Sequence, residues 1–318
     1  MAVSKINIAF AVDENYIQAM LVAIISVLKN SRKSDNISFY ILCNGVSEKS
    51  KNKLLELKTI KDFQIHFFDI DISEFSSFNL LGTHITATAY FRMKLADLLP
   101  DVKKIIYLDC DIIVKESLQE LFDYDLSGKY IAAVEDIGCT YLRKYHKEIL
   151  PYDFIYINSG VLVINLEEWR KDNIPEKLYI TAKSGINHFQ HDQEIINIVC
   201  HGKCLLVDLS WNVQDSFYKY DEYIFLTHDN NKYIKKCSKK PKIIHFTEAK
   251  KPWNDTSMPA AYEWWYYNKF SPSPLKMNNK QKLKFWLARY DSLFSLRKIR
   301  NKFILKILGI KISYSIKK

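Results

Sequence analysis

Apolar residues fall in short continuous runs along most of the chain, and the runs alternate with longer stretches of helical period. INIAFAV (6–12), ISFYILC (37–43) and FQIHFF (63–68) have the length and apolar content of buried strands. Between the first two, YIQAMLVAIISVLKNS (16–31) predicts a mostly buried helix that stops at Asn30 and Ser31. Residues 47–57 predict an amphipathic helix with Ser47 as its N-cap. The β-α-β-α-β order implies a parallel sheet with right-handed crossovers.

The pattern continues less regularly. Residues 83–89 show no clear period, and AYFRMKLADLL (89–99) predicts a helix halted by Pro100. IIYLDCDIIV (105–114) predicts one buried strand, followed by a short helix near 117–122 and the strand YIAAVED (130–136). YINSGVLVINL (156–166) predicts a strand pair broken near Asn158, Ser159 and Gly160. Helices are expected at about 167–172, 176–183 and 191–200, and strands at 204–212 and 241–246.

The strand at 105–114 carries the first chemical signal. In an extended segment residues two apart point to one side, so Asp109 and Asp111 can share a hard divalent cation. Paired acids on a buried strand are costly unless something neutralises them. The triplet alone is weak evidence, because Asp69-Ile70-Asp71 and Asp123-Tyr124-Asp125 repeat it. Asp123 and Asp125 precede Leu-Ser-Gly and read as a turn, whereas Asp69 and Asp71 follow a strand. Polar groups also end other apolar strands: Asp13, Asp136 and His245. In open α/β sheets that is where ligands bind.

With 318 residues, 48% hydrophobic and 26% charged, the chain can bury one large core or two. The six cysteines show no disulfide spacing, and the chain opens on a strand rather than a signal segment. Both point to a reducing cytoplasm. Cys200 and Cys204 flank His201 but lack a second ligand pair, so a structural role is expected for them. The net charge of +10 is uneven: in residues 276–318 thirteen Lys and Arg face the single acid Asp291, a net +12, which leaves −2 for residues 1–275. Ser271-Pro272-Ser273-Pro274 reads as a hinge, dividing a domain at 1–270 from a basic, aromatic segment at 271–318. Leu283, Trp286, Leu287 and Tyr290 share one face of an expected amphipathic helix, and apolar character continues to Leu308, so the tail at about 278–312 is expected to be basic, amphipathic and helical. Such a segment suits an anionic membrane surface. It holds no apolar run long enough to span a bilayer. No recognition motif accompanies the charge, so nucleic acid is not expected as a partner.

Six stretches together resemble the retaining glycosyltransferases of family 8, the bacterial lipopolysaccharide glucosyl- and galactosyltransferases in particular. They are FAVDENY (10–16), TAYFRMKL (88–95), YLDCDIIV (107–114), YINSGVLVINLEEWR (156–170), HDQEIIN (191–197) and IIHFTEAKKPW (243–253), within a likeness covering about residues 6–270. The resemblance implies an α/β fold of the GT-A, nucleotide-sugar-binding type with a mostly parallel central sheet. It implies that Ala11, Asp13, Asn15 and Tyr16 hold the uracil and ribose of UDP-glucose or UDP-galactose. Arg92, Asp109, Cys110, Asp136, Asn158 and Lys251 would contact the rest of the donor. Asp109, Asp111 and His245 would ligate Mn²⁺, with Mg²⁺ as a substitute, since imidazole nitrogen favours Mn²⁺. Gln193 would lie under the anomeric carbon with Asp192 beside it, and His84 and Thr247 would meet a glycolipid acceptor. The expected place of work is the cytoplasm, peripheral on the inner face of the membrane.

One position departs from the family pattern. Two residues after the His-aromatic pair the family usually has glycine; here Glu248 stands there, unfavourable beside a diphosphate unless it turns away or meets Lys250. Rival readings are a metal-dependent phosphohydrolase, for which a second cluster of acids is missing from the pattern, and a sugar-binding module without catalysis. A glycosyltransferase acting on protein or another glycan is a third.

Overall fold

A computed structural model describes residues 5–76, 78, 87–139, 155–184, 190–218, 228–290, 294–299, 302–307 and 310–315. The chain divides into two units: residues 1–247 with 271–273, and residues 248–270 with 274–318. The chain passes from one unit to the other after residue 247 and again on either side of 271–273, within the Ser-Pro stretch.

The first unit begins as its apolar pattern predicts. β1 (Lys5–Asp13), α1 (Ile17–Asn30), β2 (Asn36–Asn44), α2 (Glu48–Glu56) and β3 (Gln64–Asp69) follow in order. The three strands pair in parallel. The interior of α1 from Ala19 to Leu28 is buried without a break, which explains why it lacks a polar face. Ser47 caps α2 by accepting from the Ser50 amide at 3.3 Å.

Next come α3 (Leu95–Leu98), β4 (Lys104–Leu108), β5 (Ile112–Val114), α4 (Gln119–Phe122), β6 (Ile131–Glu135), β7 (Ile157–Asn165), α5 (Leu166–Lys171), α6 (Ile174–Lys183), α7 (His191–Val199) and β8 (Cys204–Leu206). A seven-stranded sheet runs β3-β2-β1-β4-β7-β6-β8. It is mostly parallel; β7 runs against both neighbours. The unit continues with β9 (Val213–Gln214), α8 (Asp215–Tyr218), α9 (His228–Lys239) and β10 (Ile243–His245), and a second small sheet runs β5-β10-β9.

Several expectations are corrected. The run 105–114 is not one strand: β4 belongs to the large sheet and β5 to the small one, with the acids at the break. A continuous buried strand would bury both carboxylates, so the chain changes sheets where they stand. Residues 156–166 form a single strand rather than a pair. The ladder to β6 nevertheless skips Ser159, Gly160 and Val161, because Ala133 pairs with Leu162 and Val134 with Asn158. The run expected as a helix over 89–99 begins as a tighter 3₁₀ segment, Ala87–Lys94, before α3. The strand expected over 204–212 ends at Leu206 and gives way to a 3₁₀ turn, Leu209–Asn212, capped by Asp208.

In the second unit, α10 (Ala261–Asn268) precedes α11 (Asn279–Tyr290), the amphipathic helix expected there. Leu283, Trp286 and Leu287 on α11 are exposed. The helical expectation fails further on. β11 (Phe294–Ile299), β12 (Lys302–Ile307) and β13 (Ile310–Ser315) pair antiparallel in a three-stranded sheet. Ile310-Lys311-Ile312-Ser313-Tyr314-Ser315 alternates apolar and polar with β-branched residues, a strand pattern that overrides the helical spacing upstream.

Candidate active site

β1 and β4 lie side by side in parallel, with Ala9 opposite Tyr107, so their C-terminal ends open on the same edge. There the chain leaves β4 through Asp109, Cys110 and Asp111. The Cys110 thiol donates to the Ala11 carbonyl at 3.2 Å and ties the two strand ends together. Asp13 accepts from the amides of Asn15 at 2.9 Å and Tyr16 at 3.2 Å, both on Oδ1, and so caps the next turn. Ala11 therefore stands beside the acids, and Asp13, Asn15 and Tyr16 follow it where β1 ends.

His245 arrives from 134 residues further along the chain. β10 pairs antiparallel with β5, which sets His245 opposite Ile112, and the Phe246 amide donates to the Asp111 carbonyl at 3.0 Å. His245 Nε2 lies 3.3 Å from Asp111 Oδ1 and 3.6 Å from Asp109 Oδ2. One ligand atom from each of the three side chains falls within 4.8 Å of the others. Two carboxylates and an imidazole converging in this way form a donor set for a divalent cation.

The space around them fits that use. A Cβ added to Gly160 would stand 2.1 Å from His245 Cε1 and 2.5 Å from Asp109 Oδ2. A side chain there would have to push His245 or Asp109 aside, so the glycine inside a strand marks a close approach. The Gly160 carbonyl accepts from the Asp109 amide at 2.8 Å and holds the acid against β7.

Arg92 organises the other side. Its guanidinium lies over the Tyr107 ring at 4.1 Å, donates from Nη2 to Asp109 Oδ1 at 2.8 Å and from Nη1 to the Ser159 carbonyl at 2.6 Å. Its Nε is 3.2 Å from Asp192 Oδ2. Asp109 thus has one oxygen held by Arg92 and the Tyr107 hydroxyl, at 3.1 Å, and the other turned toward His245. Burial works against the charge on Arg92, but Asp109 and Asp192 together carry its pKa above the ordinary value. Burial pushes the Asp192 carboxyl up to about 6, although Arg92 pulls it down.

Beneath the cluster lies a net of amides. Gln193 Oε1 accepts from Asn158 Nδ2 at 3.1 Å and from the Ser159 amide at 3.0 Å, and Gln193 Nε2 donates to Asp136 Oδ2 at 3.1 Å. Asn158 Nδ2 also donates to Asp136 Oδ2 at 3.1 Å. Asn197 supports the net from α7, donating to the Gln193 carbonyl at 2.7 Å. Asp136, Asn158, Asp192 and Gln193 are all buried.

Most of the residues singled out from the sequence thus gather at one sheet edge. His84 lies outside the described residues. Thr247 is exposed, its amide bonded to the His245 carbonyl at 3.1 Å. Lys251 and Glu248 belong to the second unit, where the Lys251 carbonyl accepts from the amides of Asn254 and Asp255. Sequence reasoning missed Tyr107, Ser159, Gly160, Asn197 and Asn212. A glycine within an apolar strand run is the available signal for Gly160, and it marks a close approach rather than the strand break the pattern predicts. Nothing in the local pattern marks Asn212.

Comparison with known proteins identifies the family and the fold. The profile of Glycosyl transferase family 8 matches residues 7–257. General stress protein A of Bacillus subtilis is 30% identical, over 83% of this chain and 93% of its own length. A lipopolysaccharide 1,2-glucosyltransferase of Escherichia coli K12 is 27% identical, over 78% of this chain and 73% of its own. The crystal structure of the galactosyltransferase LgtC in complex with donor and acceptor sugar analogues superposes with a TM-score of 0.72 at 26% identity, covering 88% of this chain and all of that one. The expected GT-A architecture is borne out by that superposition, and the chain belongs to glycosyl transferase family 8.

Proposed function

We propose that this chain moves glucose or galactose from a UDP-sugar to a hydroxyl of a lipopolysaccharide- or lipooligosaccharide-type glycan, retaining the anomeric configuration. The observation that carries the reading is the convergence of Asp109, Asp111 and His245 at the end of β4, beside the Asp136–Asn158–Gln193 net. The names of the glucosyl- and galactosyltransferase relatives support the choice of sugars and acceptor.

On this reading Ala11, Asp13, Asn15 and Tyr16 take the uracil and ribose, while Cys110 and Lys251 complete the donor contacts. Asp109, Asp111 and His245 hold Mn²⁺, or Mg²⁺ less well. The cation, when bound, acts as a Lewis acid on the leaving diphosphate. Arg92 orients Asp109 through its 2.8 Å contact. Asp136, Asn158 and Asp192 accept or donate hydrogen bonds at the sugar hydroxyls.

Gln193 lies under the anomeric carbon. An amide already bonded through both ends is a poor nucleophile, and Asp192 is paired with Arg92 at 3.2 Å. Attack from the same face, with a departing phosphate oxygen accepting the acceptor's proton, therefore fits these side chains better than double displacement. His84 and Thr247 are assigned to the acceptor.

The basic segment 276–318 and the exposed Leu283, Trp286 and Leu287 support docking on the anionic inner face of the cytoplasmic membrane. Among the described residues no helix is long and apolar enough to cross a membrane.

The test is UDP release from a panel of UDP-hexoses, with Mn²⁺ or with chelator. Release that needs Mn²⁺, prefers one hexose and vanishes in Asp109→Ala is expected. Release that survives chelation and the Asp109→Ala change sinks the metal assignment. UDP-sugar binding without release to any acceptor favours a binding module, and Glu248→Gly then shows whether that carboxylate is the cause.

A further inference from the structure

We infer that Asn212 is a positioning residue that fixes the tautomer of His245, holding the Nε2 lone pair open for the cation. The inference rests on the reading of Asp109, Asp111 and His245 as a cation site. Its argument comes from the direction of each hydrogen bond.

A backbone N–H can only donate. The Gly160 amide lies 3.0 Å from one terminal atom of the Asn158 side chain, so that atom is the oxygen, Oδ1. The Ser159 amide fixes Gln193 Oε1 in the same way at 3.0 Å, and Asp136 Oδ2 accepts from both amide NH₂ groups. With Asn158 Oδ1 established as oxygen, the Asn212 atom 2.8 Å from it must be the donor, Nδ2. The other end of that amide is then Oδ1, and it lies 3.0 Å from His245 Nδ1. Oxygen accepts only, so Nδ1 carries the ring proton. A neutral imidazole has one N–H; Nε2 is left with its lone pair, facing Asp111 and Asp109.

The alternative tautomer has its own attraction. A proton on Nε2 would sit against the oxygens of Asp111 at 3.3 Å and Asp109 at 3.6 Å, and would occupy the position that the cation needs. Asn212 opposes this from the far side of the ring. It is fully buried, at 0% exposure, and His245 is at 4%, so water is a poor substitute for its oxygen. The orientation is thereby relayed from the backbone of β7 through two amides to the metal ligand. Partners of this kind tune metal affinity without touching the ion.

The experiment compares Asn212→Leu and Asn212→Asp with wild type. Mn²⁺ affinity is read from the EPR signal of free Mn²⁺, and the tautomer of metal-free His245 from long-range ¹H–¹⁵N NMR of ¹⁵N-histidine protein, assigned with His245→Gln. Asn212→Leu is expected to bind Mn²⁺ about 10–100-fold more weakly and to show the proton on Nε2. Asn212→Asp keeps an acceptor for Nδ1–H but loses the bond to Asn158. It should therefore melt earlier than wild type yet retain Mn²⁺ affinity and the Nδ1–H tautomer. A purely structural role predicts instead that affinity follows stability in both variants, and that result overturns the inference. So does an unchanged tautomer in Asn212→Leu. If wild type binds no Mn²⁺, the cation site itself falls, while the NMR comparison still decides whether Asn212 sets the tautomer.

Discussion

Asp109/Asp111 and Asp69/Asp71 are the same triplet at the ends of two strands of one sheet, β4 and β3, and their fates differ. Asp71 caps a 3₁₀ turn, accepting from the Ser73 amide at 2.9 Å, and Asp69 meets Lys51 at 3.4 Å on the surface. Asp125 likewise accepts from the Ser127 amide at 2.9 Å. Among the described residues, distant chain closes in on Asp109 and Asp111: Arg92, Gly160 and His245. β3 is an edge strand, whereas β4 lies between β1 and β7, so partners can reach its end from both sides. The chemistry of a triplet is decided by what the topology brings to it.

The largest difference should appear on removing the partner. Arg92→Ala leaves Asp192 buried without its cation and should cost about 3–5 kcal/mol of unfolding free energy. Lys51→Ala, at the exposed triplet, should cost no more than about 1 kcal/mol. Denaturant unfolding of both variants checks this. Similar losses would mean that the two regions differ less than their burial suggests.

Gly160→Ala comes next. The added methyl must displace His245 or Asp109, and about 1–3 kcal/mol of stability should go. The rise in melting temperature that Mn²⁺ gives to wild type should disappear with it. Retention of that shift would show that the donor set does not need the close approach of β7.

A pH series sharpens the comparison further. Burial raises the Asp192 pKa from 3.8 to about 6, so between these values the folded protein holds a proton that the unfolded chain has lost. This contribution makes stability fall as pH rises through about 4 to 6, with the cost complete above 6. In chelator, the stability of wild type relative to Asp192→Asn should fall by about 2–3 kcal/mol between pH 4 and pH 7. Asp71, whose pKa is lowered first of all by its bond to Ser73, contributes with the opposite sign: its stabilisation is lost as pH falls below the ordinary carboxylate range. A wild type that gains on Asp192→Asn with rising pH would contradict the burial assigned to Asp192.

The smallest effect is expected at the exposed acids. Asp71→Ala removes a cap and should lower the unfolding midpoint only slightly, with UDP release unchanged. Loss of release in this variant would mean that the second triplet also takes part in the reaction.

Sequence alone determined the β-α-β-α-β opening, the parallel core strands and the acids at the end of β4, because continuous apolar runs and helical period are local properties. It also marked Arg92, Asp136, Asn158, Asp192, Gln193 and His245 through a resemblance spread over six stretches. It could not show that residues 105–114 belong to two sheets, since apolar content is the same on both sides of Asp109. It could not separate helix from strand in the tail beyond Tyr290, because a mixed apolar pattern admits both periods until β11, β12 and β13 pair. Above all it could not show Gly160 or Asn212. The need for a hydrogen atom at Gly160 arises only when His245 closes to within 2.1 Å of its missing Cβ. The direction of the Asn212 amide has meaning only once Asn158 and His245 flank it. Steric exclusion and hydrogen-bond direction are relations between groups far apart in sequence, and only the tertiary structure decides them.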